Sequence, residues 1–97
     1  MSTYIILNKL TDKGIQTFKE SPIRLEAFKK DLDFAGGELI DFYLAMGRYD
    51  AIFVIEMPSD EAMAALAFSI GGQGNVRTET LKAFDEAEYR EIVKKIS

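Results

Sequence analysis

The chain contains no cysteine and no histidine. The first absence removes disulfides, thiolate chemistry and cysteine-based metal sites. The second removes the commonest general base and the commonest transition-metal ligand. No metal site and no cofactor are therefore expected. The longest apolar runs fall far short of the roughly 20 residues that a membrane span needs. The opening Met1-Ser2-Thr3-Tyr4-Ile5-Ile6-Leu7 enters a strand-like run directly, without the basic stretch and apolar core of a signal peptide. Cytoplasm is the default expectation. Basic clusters are also missing: 12 Lys+Arg stand against 16 Asp+Glu, for a net charge of −4, so nucleic acid is not an expected partner.

What is present suits one small globular domain over residues 1–97, with 47% apolar and 29% charged residues. A domain of this size buries only about two-thirds of its unfolded surface, so packing against a second copy would help it.

Residues 3–10 are rich in β-formers and read as a strand. Thr11-Asp12-Lys13-Gly14 offers a turn or a helix cap. Ser21 reads as the cap of a helix that begins at Pro22 and carries Leu25, Phe28 and Leu32 on one face. Gly36-Gly37 ends it. Residues 38–46 and 51–57 read as two strands joined by a short polar knot, Gly47-Arg48-Tyr49-Asp50. Pro58 stops the second of them. Ser59 or Asp60 then caps an Ala- and Met-rich helix through about Ile70, which Gly71-Gly72-Gln73-Gly74 ends. Residues 75–84 form a fourth strand. In the tail, Asp85 and Glu88 have capping-box spacing, and Tyr89, Ile92, Val93 and Ile96 make an apolar helix face.

The order β-α-β-β-α-β with an extra C-terminal helix is the ferredoxin-like α+β arrangement. The strands look apolar on both sides: Ile5, Ile6 and Leu7; Phe42, Tyr43 and Leu44; Ile52, Phe53, Val54 and Ile55. Helices can cover one side. Sheet-on-sheet pairing with a second copy, giving a dimeric α/β barrel, is the simplest cover for the other.

The residues that carry these elements also resemble the GYD-domain family. The resemblance rests on Tyr4-Ile5-Ile6-Leu7, Thr11-Asp12-Lys13-Gly14-Ile15 and Ser21-Pro22-Ile23-Arg24-Leu25. It continues in Gly47-Arg48-Tyr49-Asp50, Pro58-Ser59-Asp60-Glu61-Ala62 and Gly74-Asn75-Val76-Arg77-Thr78-Glu79-Thr80, covering roughly residues 3–84. More distantly, the hairpin is similar to that of the ligand-binding domain of AsnC-type regulators, although Asn75 interrupts the second matching stretch and no DNA-binding helix-turn-helix is present. The resemblance implies a dimeric barrel. It implies no reaction.

The knot reads as a turn first: Gly47 supplies positive φ and Asp50 accepts backbone hydrogen bonds. As a site, it would form the mouth of a ligand pocket or a dimer contact, with Tyr49 and Asp50 contributing. Gly71-Gly72-Gln73-Gly74 follows a helix and so lacks the strand–glycines–helix order of a phosphate loop. Asn8, Asp41, Tyr43, Arg77 and Glu79 are polar residues on strands; if turned inward they would line a cavity between two sheets. Arg77 would take a carboxylate and Tyr43 a hydrogen bond or a ring. The expected ligand-binding set is Asn8, Tyr43, Tyr49, Asp50 and Arg77. A small-molecule-binding or sensing homodimer fits best. The alternatives are a cofactor-free enzyme of the monooxygenase or isomerase type and a purely structural assembly module.

Overall fold

A computed structural model describes all residues from 1 to 97. Four strands, β1 (Ser2–Leu10), β2 (Glu38–Leu44), β3 (Ala51–Met57) and β4 (Val76–Ala83), form one sheet in the order β2-β3-β1-β4. Every neighbouring pair is antiparallel. The helices α1 (Asp12–Gln16), α2 (Ser21–Phe34), α3 (Asp60–Gly72) and α4 (Glu86–Lys94) complete the ferredoxin-like α+β order. No helix is long and apolar enough to cross a membrane.

The strands are two-faced. Along β1, buried Tyr4, Ile6 and Asn8 alternate with half-buried Ile5 and Leu7; along β3, buried Phe53, Ile55 and Met57 alternate with half-buried Ile52 and Val54. The buried set faces α2 and α3, where Leu32, Met63 and Leu66 close a core of eight side chains. The other face carries no helix. Directly paired residues share a face, so Ile5 with Leu81 and Val54, Leu7 with Glu79 and Ile52, and Tyr43 with Ile52 all lie there. Both faces are apolar, as the sequence suggests, and one of them is open.

The local signals explain most element ends. Thr11 caps α1, its Oγ1 accepting the Gly14 N–H at 3.1 Å. Gly14 presses against the next crossover: a Cβ there would lie 2.1 Å from the Asn75 carbonyl oxygen. Gly36 takes φ +81°, and the Gly37 N–H reaches the Leu32 carbonyl at 2.8 Å, closing α2 with a Schellman turn. Ser59 caps α3 through the Ala62 N–H at 3.1 Å.

The capping box of α4 is formed in both directions, at 3.0 Å and 2.8 Å. Ser21 departs from expectation. A 3-10 turn over Phe18–Glu20 runs straight into α2, so Ser21 already has helical φ −57° and ψ −34° and caps nothing. β2 stops at Leu44 rather than 46, although one ladder bond continues past it, the Ala45 N–H donating to the Asp50 carbonyl at 2.8 Å. A bulge between Leu39 and Asp41 shifts its register against β3. Gly71 and Gly72 stay within α3, and the turn itself comes at Gly74, with φ +81°.

Candidate functional site

α2 and α3 share one face of the sheet but differ in how they sit on it. α3 packs Met63 and Leu66 into the core. α2 buries Leu32 at its C-terminal end, but toward its N-terminus it meets the sheet mainly through the Phe28 ring, edge-on to Phe53 at 5.0 Å. Phe42 of β2 lies against the same Phe53 ring, also at 5.0 Å. Arg24 and Asp31 flank the apolar stripe of α2, so the helix does not seal against the strands. A cavity of about 460 Å³ remains between them. That is within the range of small-molecule pockets.

The cavity wall is mostly apolar, with Ile6, Phe28, Phe42, Phe53, Ile70 and Val76 contributing. Asn8 is the polar exception in its floor. It is 9% exposed, and its Oδ1 is buried without a hydrogen-bond partner. Buried polar groups are nearly always paired, with protein or with ordered water, so this amide marks a polar point in the cavity floor. At the rim stand Arg24, whose guanidinium reaches Thr17 at 3.3 Å, and Asp50. The Asp50 carboxylate accepts the Leu10 N–H at 2.8 Å and lies 3.6 Å from the Lys9 ammonium. Gln73 and Asn75 close another side. Their loop is fastened to the end of β1 by Thr11, which donates its N–H to the Asn75 carbonyl at 3.1 Å and its hydroxyl to that of Gly74 at 2.6 Å.

The five residues singled out from the sequence divide between the two faces. Asn8 and Asp50 meet at the cavity under α2. Tyr43 and Arg77 lie on the open face, paired with Ile52 and Lys9 respectively. Tyr49 goes with them: its hydroxyl donates to Glu79 at 3.0 Å, which pushes the phenol pKa up, and Arg48 stands 5.9 Å from its ring centre. The pocket present in one chain is therefore on the helix side of the sheet, not between two sheets. Sequence reading passed over Arg24, Phe28, Phe42 and Phe53. The signal available was the narrowness of the α2 stripe, with charged Arg24 and Asp31 bordering it.

A second polar cluster lies on the same face of the sheet, near α3. The Tyr4 hydroxyl donates to Asp60, and Lys82 reaches both Asp60 oxygens at 2.9 Å and 3.2 Å. The Tyr4 bond, then the Lys82 bond, hold the Asp60 carboxyl below its ordinary pKa; Tyr4 and Lys82 are raised, each chiefly by its bond to Asp60. No group of three or more His, Cys, Asp or Glu side chains converges to hold a metal ion.

The GYD-domain family model matches residues 4–93. The chain belongs to the GYD-domain family. The match includes most of α4, beyond residue 84 where the motif resemblance ends. A relative from Thermus thermophilus, the glutamine synthetase and cystathionine beta-lyase binding protein, is 32% identical over 90 residues, covering 91% of this chain and 94% of its own. The crystal structure of TTHA0845 from the same organism superposes with a TM-score of 0.56 at 22% identity, covering 88% of this chain and 95% of that one. This last likeness bears on the fold alone.

Proposed function

We propose that this GYD-domain protein is a small-molecule-binding or sensing module that works as a homodimer. The single observation that carries the reading is the mostly apolar cavity under α2 with the buried Asn8 amide in its floor. A ligand with an apolar body and one hydrogen-bonding group would be held by the Asn8 amide, while the phenylalanine walls take the body. Pairing of two copies is supported by the open sheet face, where Ile5, Leu7, Ile52 and Val54 are only half-buried and Leu81 is exposed. A symmetric pair packed face to face would form the α/β barrel. In that arrangement Tyr43 and Arg77 would lie between the sheets, away from the cavity.

A second reading is favoured by the Thermus relative, which is named for binding two enzymes. By analogy, this chain would bind metabolic enzymes such as glutamine synthetase, and a ligand in the cavity would tune that contact.

Native mass spectrometry of gently purified protein tests the first reading. The expected result is a dimer carrying extra small-molecule mass, which Asn8→Leu removes while leaving the dimer intact. Empty protein in both forms would sink the small-molecule reading and leave the enzyme-binding one.

A further inference from the structure

α4 stands apart from the rest of its chain. Every residue from 85 to 97 is exposed, and α4 has no extensive packing against another element. The chain measures 51 × 31 × 19 Å with a radius of gyration of 14.6 Å. A compact domain of this length would have about 12.5 Å. A nine-residue helix is also too short to persist alone in water, where about 12–15 residues are needed for even marginal helicity. Yet α4 has a complete capping box and a one-sided apolar stripe: Tyr89 58%, Ile92 40% and Val93 47% exposed, continued by Ile96. Such a stripe calls for a surface that its own chain does not supply.

The same chain leaves a matching surface bare. β2 is an edge strand with an unpaired backbone rim. Ile40, Phe42, Tyr43, Leu44 and the following Met46 are all exposed along it, Tyr43 on the open face and Phe42 and Leu44 on the cavity side. Glu38 and Asp41 on this strand have no ion pair, and neither has Lys95 beyond α4. The two ends match in apolar character. β2 and β4 are opposite edges of the sheet. When two copies pair face to face about an axis parallel to the strands, left and right exchange. β4 and the helix that follows it then lie beside β2 of the other copy.

We infer that α4 is an exchanged arm: it packs its Tyr89–Ile92–Val93 stripe over the exposed β2 edge of a second copy of this chain. The inference rests on the pairing proposed above and specifies how that pairing is completed. The side chains of the arm and of the β2 edge leave on the order of 1,000 Å² open per chain. A standard interface takes about 800 Å² from each partner. The exchange also covers the strand edge, which would otherwise template further pairing.

The cysteine-free chain makes the test clean, because every introduced thiol is unique. Ile40→Cys protein is mixed with Ile92→Cys protein and treated with a short bis-maleimide. The expected result is a covalent dimer in the mixture, at least tenfold more abundant than in either variant alone. Ile92→Asp/Val93→Asp in the full chain is expected to weaken dimerisation at least tenfold, with the far-UV circular dichroism of the sheet retained. A full-length dimer that neither cross-links nor responds to the aspartates overturns the exchanged arm while leaving the pairing in place. An Ile40→Cys/Ile92→Cys chain that links within one monomer overturns it too, since α4 would then cover its own β2. A full-length chain that is monomeric at tens of micromolar overturns both the arm and the pairing.

Discussion

The Asp50 carboxylate binds the Leu10 backbone N–H across 40 residues of chain, at 2.8 Å. It ties the β2–β3 turn to the end of β1. The Asp50 N–H reinforces the tie by donating to the Asn8 carbonyl at 2.8 Å. The aspartate that looked like a turn residue thus also braces the strand that presents Asn8 to the cavity. Asp50→Ala leaves a half-buried N–H without its acceptor and is expected to cost about 1–3 kcal/mol in urea unfolding. Asp50→Asn, which keeps an acceptor oxygen, is expected to recover most of that loss. Equal losses in the two variants would mean that the charge, not the hydrogen bond, holds the turn.

Asn8→Leu trades an unpaired polar atom for a methyl-bearing group beside an open cavity. Removing the orphan is expected to stabilise the protein by about 1 kcal/mol while abolishing ligand retention. The measurement is a urea midpoint alongside native mass spectrometry. A destabilised variant would show that Asn8 has a partner in solution even without ligand.

Two glycines make a paired test. Gly14→Ala drives a Cβ to 2.1 Å from the Asn75 carbonyl, a backbone atom held in place by Thr11. The crossover must separate, and a loss of about 3 kcal/mol or more is expected. Gly71→Ala meets nothing within 4 Å and lies inside α3, so it is expected to add about 0.5–1 kcal/mol. Thermal melts of the two variants should move in opposite directions.

The Tyr4–Asp60–Lys82 cluster sets a pH window. Asp60 is depressed below its ordinary 3.8, so its contribution is present above that value and fades as pH falls through the lower, folded one. Tyr4 and Lys82 are raised above 10.0 and 10.5, so theirs is present below those values and fades as pH rises past the folded ones. The difference in melting temperature between the native chain and Asp60→Asn is therefore expected to be flat from about pH 5 to 9 and to shrink at both extremes. Asp60 and Lys82 are solvent-facing above the buried Tyr4, so the difference should be small and should narrow further in high salt. A difference that keeps growing below pH 4 would contradict the assignment.

Much of the fold was legible because its signals are local. Gly47 does take positive φ, at +113°, and Asp85 and Glu88 do form their box. The open apolar face of the sheet followed from Ile5, Leu7, Ile52 and Val54. The cavity was less legible. Nothing in an apolar run such as Tyr4-Ile5-Ile6-Leu7-Asn8 says which alternate set the helices will cover, so Asn8 and Tyr43 were assigned to one space although the sheet lies between them. The hollow itself depends on how far Phe28 holds α2 off Phe53, a distance fixed by packing between segments remote in sequence. Ser21 was misread because capping preference is overruled when a 3-10 turn feeds the helix from behind.

The two crossovers of the fold have unequal duties. α3 lies close on the sheet as a keel, with Met63 and Leu66 sunk into the core, so its inner side chains leave little latitude for change. α2 spans a void, and substitutions on its underside at Arg24, Ala27, Phe28 or Asp31 reshape the space beneath it without breaching the main core. Change along one helix therefore alters the size and lining of the hollow, while the other helix holds the core in place.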